Sequence, residues 1–320
     1  MFTRSKFTGI ALACAFTACG GEAPAPDPSG ADETPIESAK SQDEGILVVY
    51  TTNYPLAYFA ERLGGDRVKV EFPVPAGIDP AFWSPSPEEV AAYQGAGVVL
   101  LNGAGYEGWV AKTSLAESKL VDTSAGFQDL YIVAEEAVLH THGPEGEHEH
   151  ENVAFTTWLD PQLAIEQARA IKEALVGRLP GSEADLQAGF AALETDLAEL
   201  DARLEAWAAS VMDEPLLASH PVYQYLARRY DLNLRSVHFE PDEVPATGGW
   251  RDLAALMQGH AAAWMLWEAA PLAEVGARLA SDFAVGSVVF APCGNRPDSG
   301  DYLDAMRSNV EALEALPPAG

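Results

Sequence analysis

The chain is short of cysteine, of basic residues and of long apolar runs, and each shortage removes a class of protein. It has 3 cysteines in 320 residues, Cys14, Cys19 and Cys293, too few for a disulfide framework. Lys and Arg number 19 against 48 Asp and Glu, giving a formal charge of −29. Such a surface repels nucleic acid and anionic headgroups and favours cationic partners. The apolar run near the start, Phe7 to Ala18, is too short to span a bilayer. No His-Glu-x-x-His pair and no Gly-x-Ser-x-Gly turn occurs, so neither a helical zinc-protease site nor a nucleophile elbow is encoded. A metal-dependent hydrolase would need three ligands, an open position and a nearby base, and the chain is read as not an enzyme.

Histidine is scarce too, yet 4 of the 7 fall in one stretch: His140, His142, His148 and His150. Two His-x-His pairs joined by a Gly/Pro-containing turn allow several imidazole nitrogens to converge on one ion, and imidazole suits zinc and late first-row metals. Glu145, Glu147, Glu149 and Glu151 concentrate cations around them. The plainer reading, a solvated acidic loop with incidental histidines, is weaker because His-rich tracts are a metal-binding composition. The loop points to metal handling by weak capture.

Residues 1–18 read as a signal peptide, with Arg4 and Lys6 as its basic region. Small residues before Cys19, followed by Gly20 and Gly21, resemble the bacterial lipoprotein processing site, although Phe16 stands in the usual leucine position. Lipidation of Cys19 is therefore expected, with anchoring at the cell envelope on its periplasmic or extracytoplasmic face. Residues 19–44 are a Gly, Ala, Pro, Ser and acid-rich linker that cannot bury a core. Beyond it the expected organisation is an N-terminal α/β lobe over 45–181, a connecting helix over 182–212 and a C-terminal α/β lobe over 213–320.

Ile46–Tyr50, Val68–Phe72, Val98–Leu101 and Tyr131–Val133 read as strands of the first lobe. Leu216–Ser219, Leu234–His238, Ala262–Trp267 and Ser287–Phe290 read as strands of the second. Helix signals lie between them, including Ser86-Pro87-Glu88-Glu89 and Asp160-Pro161. The alternation predicts an α/β fold of two lobes, each with a mainly parallel sheet flanked by helices. Leu186, Phe190, Leu193, Leu197, Leu200, Leu204 and Trp207 recur by four and three, which predicts one long rigid helix joining the lobes. The ligand site is then expected at the carboxyl ends of the strands.

Several segments, in this order, resemble the zinc/manganese solute-binding lipoproteins of ABC importers, and the zinc-uptake branch most. They are Gly77-Ile-Asp-Pro80 with Ser84-Pro-Ser-Pro87, Leu101–Trp109, the histidine loop running into Thr157-Trp-Leu-Asp-Pro161, Ser219–Tyr230 and Asp301–Met306. The resemblance implies that a divalent metal, zinc first, is bound between the lobes and passed to an ABC permease with its ATPase, the protein acting as a monomer. It also implies three histidine ligands and a carboxylate. Aligned by motif, these positions fall at Ala81, Thr156, His220 and Ala291. Alanine offers no ligand atom and threonine a poor one, so His220 alone is retained.

A relocated metal site is expected from residues at neighbouring strand ends: His220, His238, Glu240 and Glu268. Each has a duller reading. His220 could cap a strand end, His238 and Glu240 could begin a polar loop, and Glu268 could pair with Arg228 or Arg229. Cys293 reads most simply as a small buried residue, and His260 as solvent-facing. The alternative function is a cleft carrying a non-metal solute or a metal chelate, flanked by Phe82, Trp83, Phe155 and Trp158 with Asn102, Thr157 and Asn295. The plainer reading, that those aromatics pack the junction of the lobes, is the stronger of the two. A purely adhesive surface role fits the tether as well.

Overall fold

Short β-branched and apolar segments build two four-stranded sheets, each wholly parallel. In the first, β1 (Leu47–Thr51), β2 (Val68–Glu71), β3 (Val98–Leu101) and β4 (Leu120–Asp122) stand in the order β2-β1-β3-β4. In the second, β5 (Leu216–Ala218), β6 (Leu234–Ser236), β7 (Trp264–Trp267) and β8 (Gly286–Val289) repeat it as β6-β5-β7-β8. The computed structural model describes residues 45–133 and 153–317; His140, His142, His148, His150 and Cys19 lie outside them. Among the described residues no helix is long and apolar enough to cross a membrane.

The segment Tyr131–Val133 is not the fourth strand of the first sheet. Val133 makes an isolated antiparallel bridge with Val153, and Leu120–Asp122 takes the sheet position instead. The Tyr131 hydroxyl is engaged by Ser124 Oγ at 2.5 Å and accepts from the Ala104 N–H at 3.2 Å, which holds the segment beside the sheet.

Helices cover the sheets: α1 (Tyr54–Gly64), α2 (Pro87–Gly95), α3 (Pro161–Val176), α4 (Glu183–Ser210), α5 (Gln224–Tyr230), α6 (Thr247–Met257), α7 (Ala273–Phe283) and α8 (Tyr302–Glu314). Their starts follow local chemistry. Asn53 caps α1 through the Leu56 N–H, and Ser86 and Glu89 form a reciprocal capping box on α2. Asp160 caps α3 with Pro161 as its first helical residue.

The 28-residue α4 reaches roughly 42 Å at 1.5 Å per residue. All seven residues of its apolar stripe are buried, from Leu186 to Trp207. They belong to one core cluster that also holds Val49, Leu100, Ala218 and Leu266 from both sheets. Two carboxylates on α4 reinforce this packing from the polar side. Asp196 pairs with Arg62 of α1 at 2.8 Å and Arg307 of α8 at 3.2 Å. Asp201 pairs with Arg229 of α5 at 2.6 Å and accepts from Gln162 of α3 at 2.7 Å.

In both sheets the strand order reverses beside one central strand, between β1 and β3 and between β5 and β7. A crevice opens at the carboxyl ends there, where α/β proteins seat ligands.

Candidate functional site

The first crevice is occupied by the chain's own polar groups. Asn102, just beyond β3, is fully buried. Its Oδ1 accepts from Asn53 Nδ2 at 3.2 Å and Gln167 Nε2 at 3.1 Å, and its Nδ2 donates to Phe155 O at 2.9 Å. Glu107 accepts from Thr52 Oγ1 and the Asn102 N–H, each at 2.5 Å, and from the Gly103 N–H at 3.2 Å. Burial outweighs these bonds and pushes its carboxyl from 4.5 up to about 7. The folded chain therefore keeps a proton that the unfolded chain has lost between those values, so stability falls as pH rises through that window. Chemical denaturation of wild type and E107Q at pH 5 and pH 7.5 checks this: the fall should be clearly smaller in E107Q than in the wild type, the remainder coming from other raised carboxyls such as Glu268.

The second crevice is lined by titratable groups instead. His220 stands two residues beyond β5 and is 8% exposed. Its Nδ1 lies 3.4 Å from Glu240 Oε1 and 3.6 Å from Glu268 Oε1. These separations are long for hydrogen bonds and close to the edge of a tetrahedron about a zinc ion, about 3.3 Å for bonds of about 2.0–2.1 Å. The exposed His238, two residues beyond β6, sets its ring edge-on to His220 with centroids 5.4 Å apart. Burial first, then the charges of Asp79 and Glu240, push the Glu268 carboxyl up to about 7. The structure thus brings His220, His238, Glu240 and Glu268 to one place. Among the described residues, no group of three or more His, Cys, Asp or Glu side chains is arranged to hold a metal ion.

Glu268 is not the arginine partner that a plain reading would make it. Arg229 pairs with Asp201, and the Arg228 guanidinium lies 3.9 Å from Asp160 and donates to Leu130 O. His260 is 4% exposed, not solvent-facing, because its Nε2 meets the Leu216 carbonyl oxygen at 2.7 Å. Cys293 is buried, and burial raises its thiol to about 12. At the vacated ligand positions, Thr156 Oγ1 donates to Val222 O at 2.5 Å and the Ala291 N–H donates to Asn309 Oδ1 at 2.9 Å. Trp158, 2% exposed, donates from Nε1 to Pro292 O at 2.7 Å. Tyr106 packs edge-on against Phe155 and Trp158. These aromatics fill the junction of the lobes. An apolar void behind them, lined by Trp158, Leu200, Phe290, Tyr302 and Met306 among others, has no charged residue in its wall.

Asp79 and Tyr106 lie in two of the segments that carry the family resemblance, and sequence reasoning assigned neither a role of its own. The charge of Asp79 acts on both Glu268 and the Tyr106 phenol.

Residues 49–316 match the protein family described as zinc-uptake complex component A, periplasmic. The zinc-binding lipoprotein AdcA of Streptococcus pneumoniae R6 is 26% identical over 287 residues, covering 87% of this chain. The chain spans 57% of the length of that relative. The high-affinity zinc uptake system protein ZnuA of Bacillus subtilis 168 is 26% identical over 294 residues, covering 87% of this chain and 89% of its own. Among solved structures, the metal-dependent lipoprotein YcdH of Bacillus subtilis superposes with a TM-score of 0.72 at 22% identity, covering 84% of this chain and 98% of that one. The Zn(II)-bound ZnuA-like domain of Streptococcus pneumoniae AdcA gives 0.70 at 22% identity, with 84% and 98% covered. These structures share the fold of two parallel four-stranded sheets and a long helix.

Proposed function

Because the chain belongs to the family of the periplasmic component A of zinc-uptake complexes, a transport family and not an enzymatic one, we propose that it is the extracytoplasmic solute-binding component of an ABC importer for zinc or a similar divalent metal. The observation that carries this reading is the placement of His220, with two carboxylates directed at one of its nitrogens at a strand-order reversal. In this reading the cargo ion displaces the Nδ1 proton and is held by His220, Glu240 and Glu268, with His238 beside them. His140, His142, His148 and His150 collect ions at lower affinity. Cys19 carries a lipid anchor, and a permease with its ATPase receives the metal.

The strongly acidic composition supports cation capture, since a negative field raises the local concentration of cations. A zinc titration by calorimetry tests the reading, using a soluble form starting at Asp43 and a variant lacking residues 140–150. A tight stoichiometric step should persist in the variant. Loss of all binding with the loop would remove the cleft from the mechanism.

One observation favours a second reading, a cleft for a non-metal solute or a metal chelate. Ala81, Thr156 and Ala291 supply no good donor, and the Thr156 hydroxyl is committed to Val222 O. Binding of such a solute would survive exhaustive chelation of free metal.

A further inference from the structure

The loop that closes the first crevice, residues 102–107, is held in an uncommon form by one carboxyl. Gly103, Ala104 and Gly105 all take positive φ, at 78, 52 and 76°, a conformation that costs alanine more than glycine. Such a run turns successive N–H groups toward one point, where an anion can receive them. Here the chain supplies the acceptors itself. Glu107 takes the Asn102 and Gly103 N–H groups, and the Tyr131 hydroxyl takes that of Ala104.

The same carboxyl meets a hydroxyl that can serve either of its protonation states. Thr52 Oγ1 lies 2.5 Å from Glu107 Oε1 and 3.4 Å from the Leu100 carbonyl oxygen. With Glu107 ionised, the threonine proton points to the carboxylate. With Glu107 neutral, the carboxyl donates to Thr52 Oγ1, which donates onward to Leu100 O, so both protons have an acceptor. The titratable groups around Glu107 do not oppose the neutral form. Its charge acts on Tyr93 of α2, on Tyr106 of the loop itself and on Tyr131 beside β4. Asp122 ends β4, and its Oδ1 fills the place that a Cβ on Gly103 would take. None of these four is a cation, so an ionised Glu107 gains no ion pair from them, in keeping with a carboxyl raised to about 7.

The loop carries contacts that reach the second lobe. Asn102 donates from Nδ2 to Phe155 O at 2.9 Å. Tyr106, 2% exposed, packs edge-on against Phe155 and Trp158, and Trp158 bonds to Pro292 O. The Tyr106 hydroxyl has no hydrogen-bond partner among the described residues, so packing and the loop alone hold the ring.

We infer that Glu107 is a proton-operated latch, which when neutral locks residues 102–107 and the Phe155–Trp158 segment at the junction of the lobes, and when ionised loosens them. The closed loop keeps a proton that an opened loop, with its carboxyl in water, loses near the ordinary value of 4.5. Closure is therefore strongest below that value and weakens as pH rises through about 7.

Amide hydrogen exchange of the full chain at pH 5 and pH 7.5 tests this, read as protection factors so that the intrinsic pH dependence of exchange drops out. A chelator is present throughout, which makes the result independent of metal binding. Protection across 101–108 and 153–160 should fall at least about tenfold at the higher pH, while α6 of the second lobe keeps its own. E107Q has a similar shape and no proton to lose, and its fall should be clearly smaller. A wild-type profile that does not change with pH overturns the latch, as does an equal fall in α6, which would be a loosening of the whole fold. An equal fall in E107Q assigns the effect to another group and overturns it too. Should E107Q not fold, the comparison of loop and α6 in the wild type decides by itself.

Discussion

In a variant lacking residues 140–150, His220→Ala should abolish the remaining tight zinc step, weakening it by at least roughly a hundredfold, or about 2.7 kcal/mol. The size follows from what surrounds the ring. His220 is the nitrogen donor on which both carboxylates converge, at 3.4 and 3.6 Å, and the neighbouring His238 stands more than 5 Å away between centroids. Without the imidazole, Glu240 and Glu268 remain as a repelling pair with no nitrogen between them. Oxygen donors alone hold zinc less well than a set that includes imidazole. The comparison is made with the loop removed, so that any ion taken up by His140, His142, His148 and His150 stays out of the titration. Unchanged affinity in H220A would mean that the cleft does not hold the cargo through this residue. Differential scanning calorimetry of the metal-free variants controls for folding.

The second large effect is on stability. Asp201→Ala should destabilise the fold by about 3 kcal/mol, read as a lower midpoint in urea and a fall of roughly 6–12 °C in Tm. Asp201 is 7% exposed. It accepts from Arg229 Nε at 3.0 Å and Nη2 at 2.6 Å, from Tyr230 OH at 2.8 Å and from Gln162 Nε2 at 2.7 Å. One carboxylate therefore joins α3, α4 and α5, and its removal strands an arginine, a phenol and an amide together. Burial alone would raise its pKa, but the bonds from Arg229, Tyr230 and Gln162 hold it below the ordinary value of 3.8. A depressed carboxyl stabilises the fold above its unfolded pKa and loses that contribution as pH falls through the folded one. The gap between wild type and D201A should accordingly narrow in strong acid. A loss under about 1 kcal/mol at pH 7, the usual worth of a surface pair, would show that the network is not a unit.

Much of the architecture was legible in the sequence because it is written in periodicity. The leucine stripe of α4 gave a helix over 182–212, and the helix runs Glu183–Ser210 with every stripe residue buried. Buried parallel strands are short apolar runs, and Val98–Leu101 was located to the residue. Tyr131–Val133 failed for a definite reason. Its aromatic and β-branched residues score as strand, yet Tyr131 serves as a hydroxyl anchor, while the true β4 is a three-residue edge with ordinary composition. His260 failed likewise, since loop position suggests solvent and a backbone acceptor drew the ring inward.

The cleft was half legible. His220, His238, Glu240 and Glu268 follow from strand ends, because adjacent parallel strands place their carboxyl ends side by side. The clasp on the loop after β2 does not, because it is a contact between distant loops, made by Asn295 across more than 200 residues of chain. At the positions read as vacated, the bond between Thr156 and Val222 could not be foreseen from composition.

The long helix and the direct bonds between lobes also bear on time as well as on affinity. Thr156 to Val222, Trp158 to Pro292, the Tyr54 N–H to Gly294 O and the Asn295 clasp act in parallel with α4. Swinging the lobes apart would break all of them at once. Release through the loop over 75–83 breaks few of them, and such local openings lie far below global unfolding in free energy. Under the proposed function, the dwell time of a bound ion would then be set by the fraying of one loop, and a partner that grips that loop would shorten it without bending the frame.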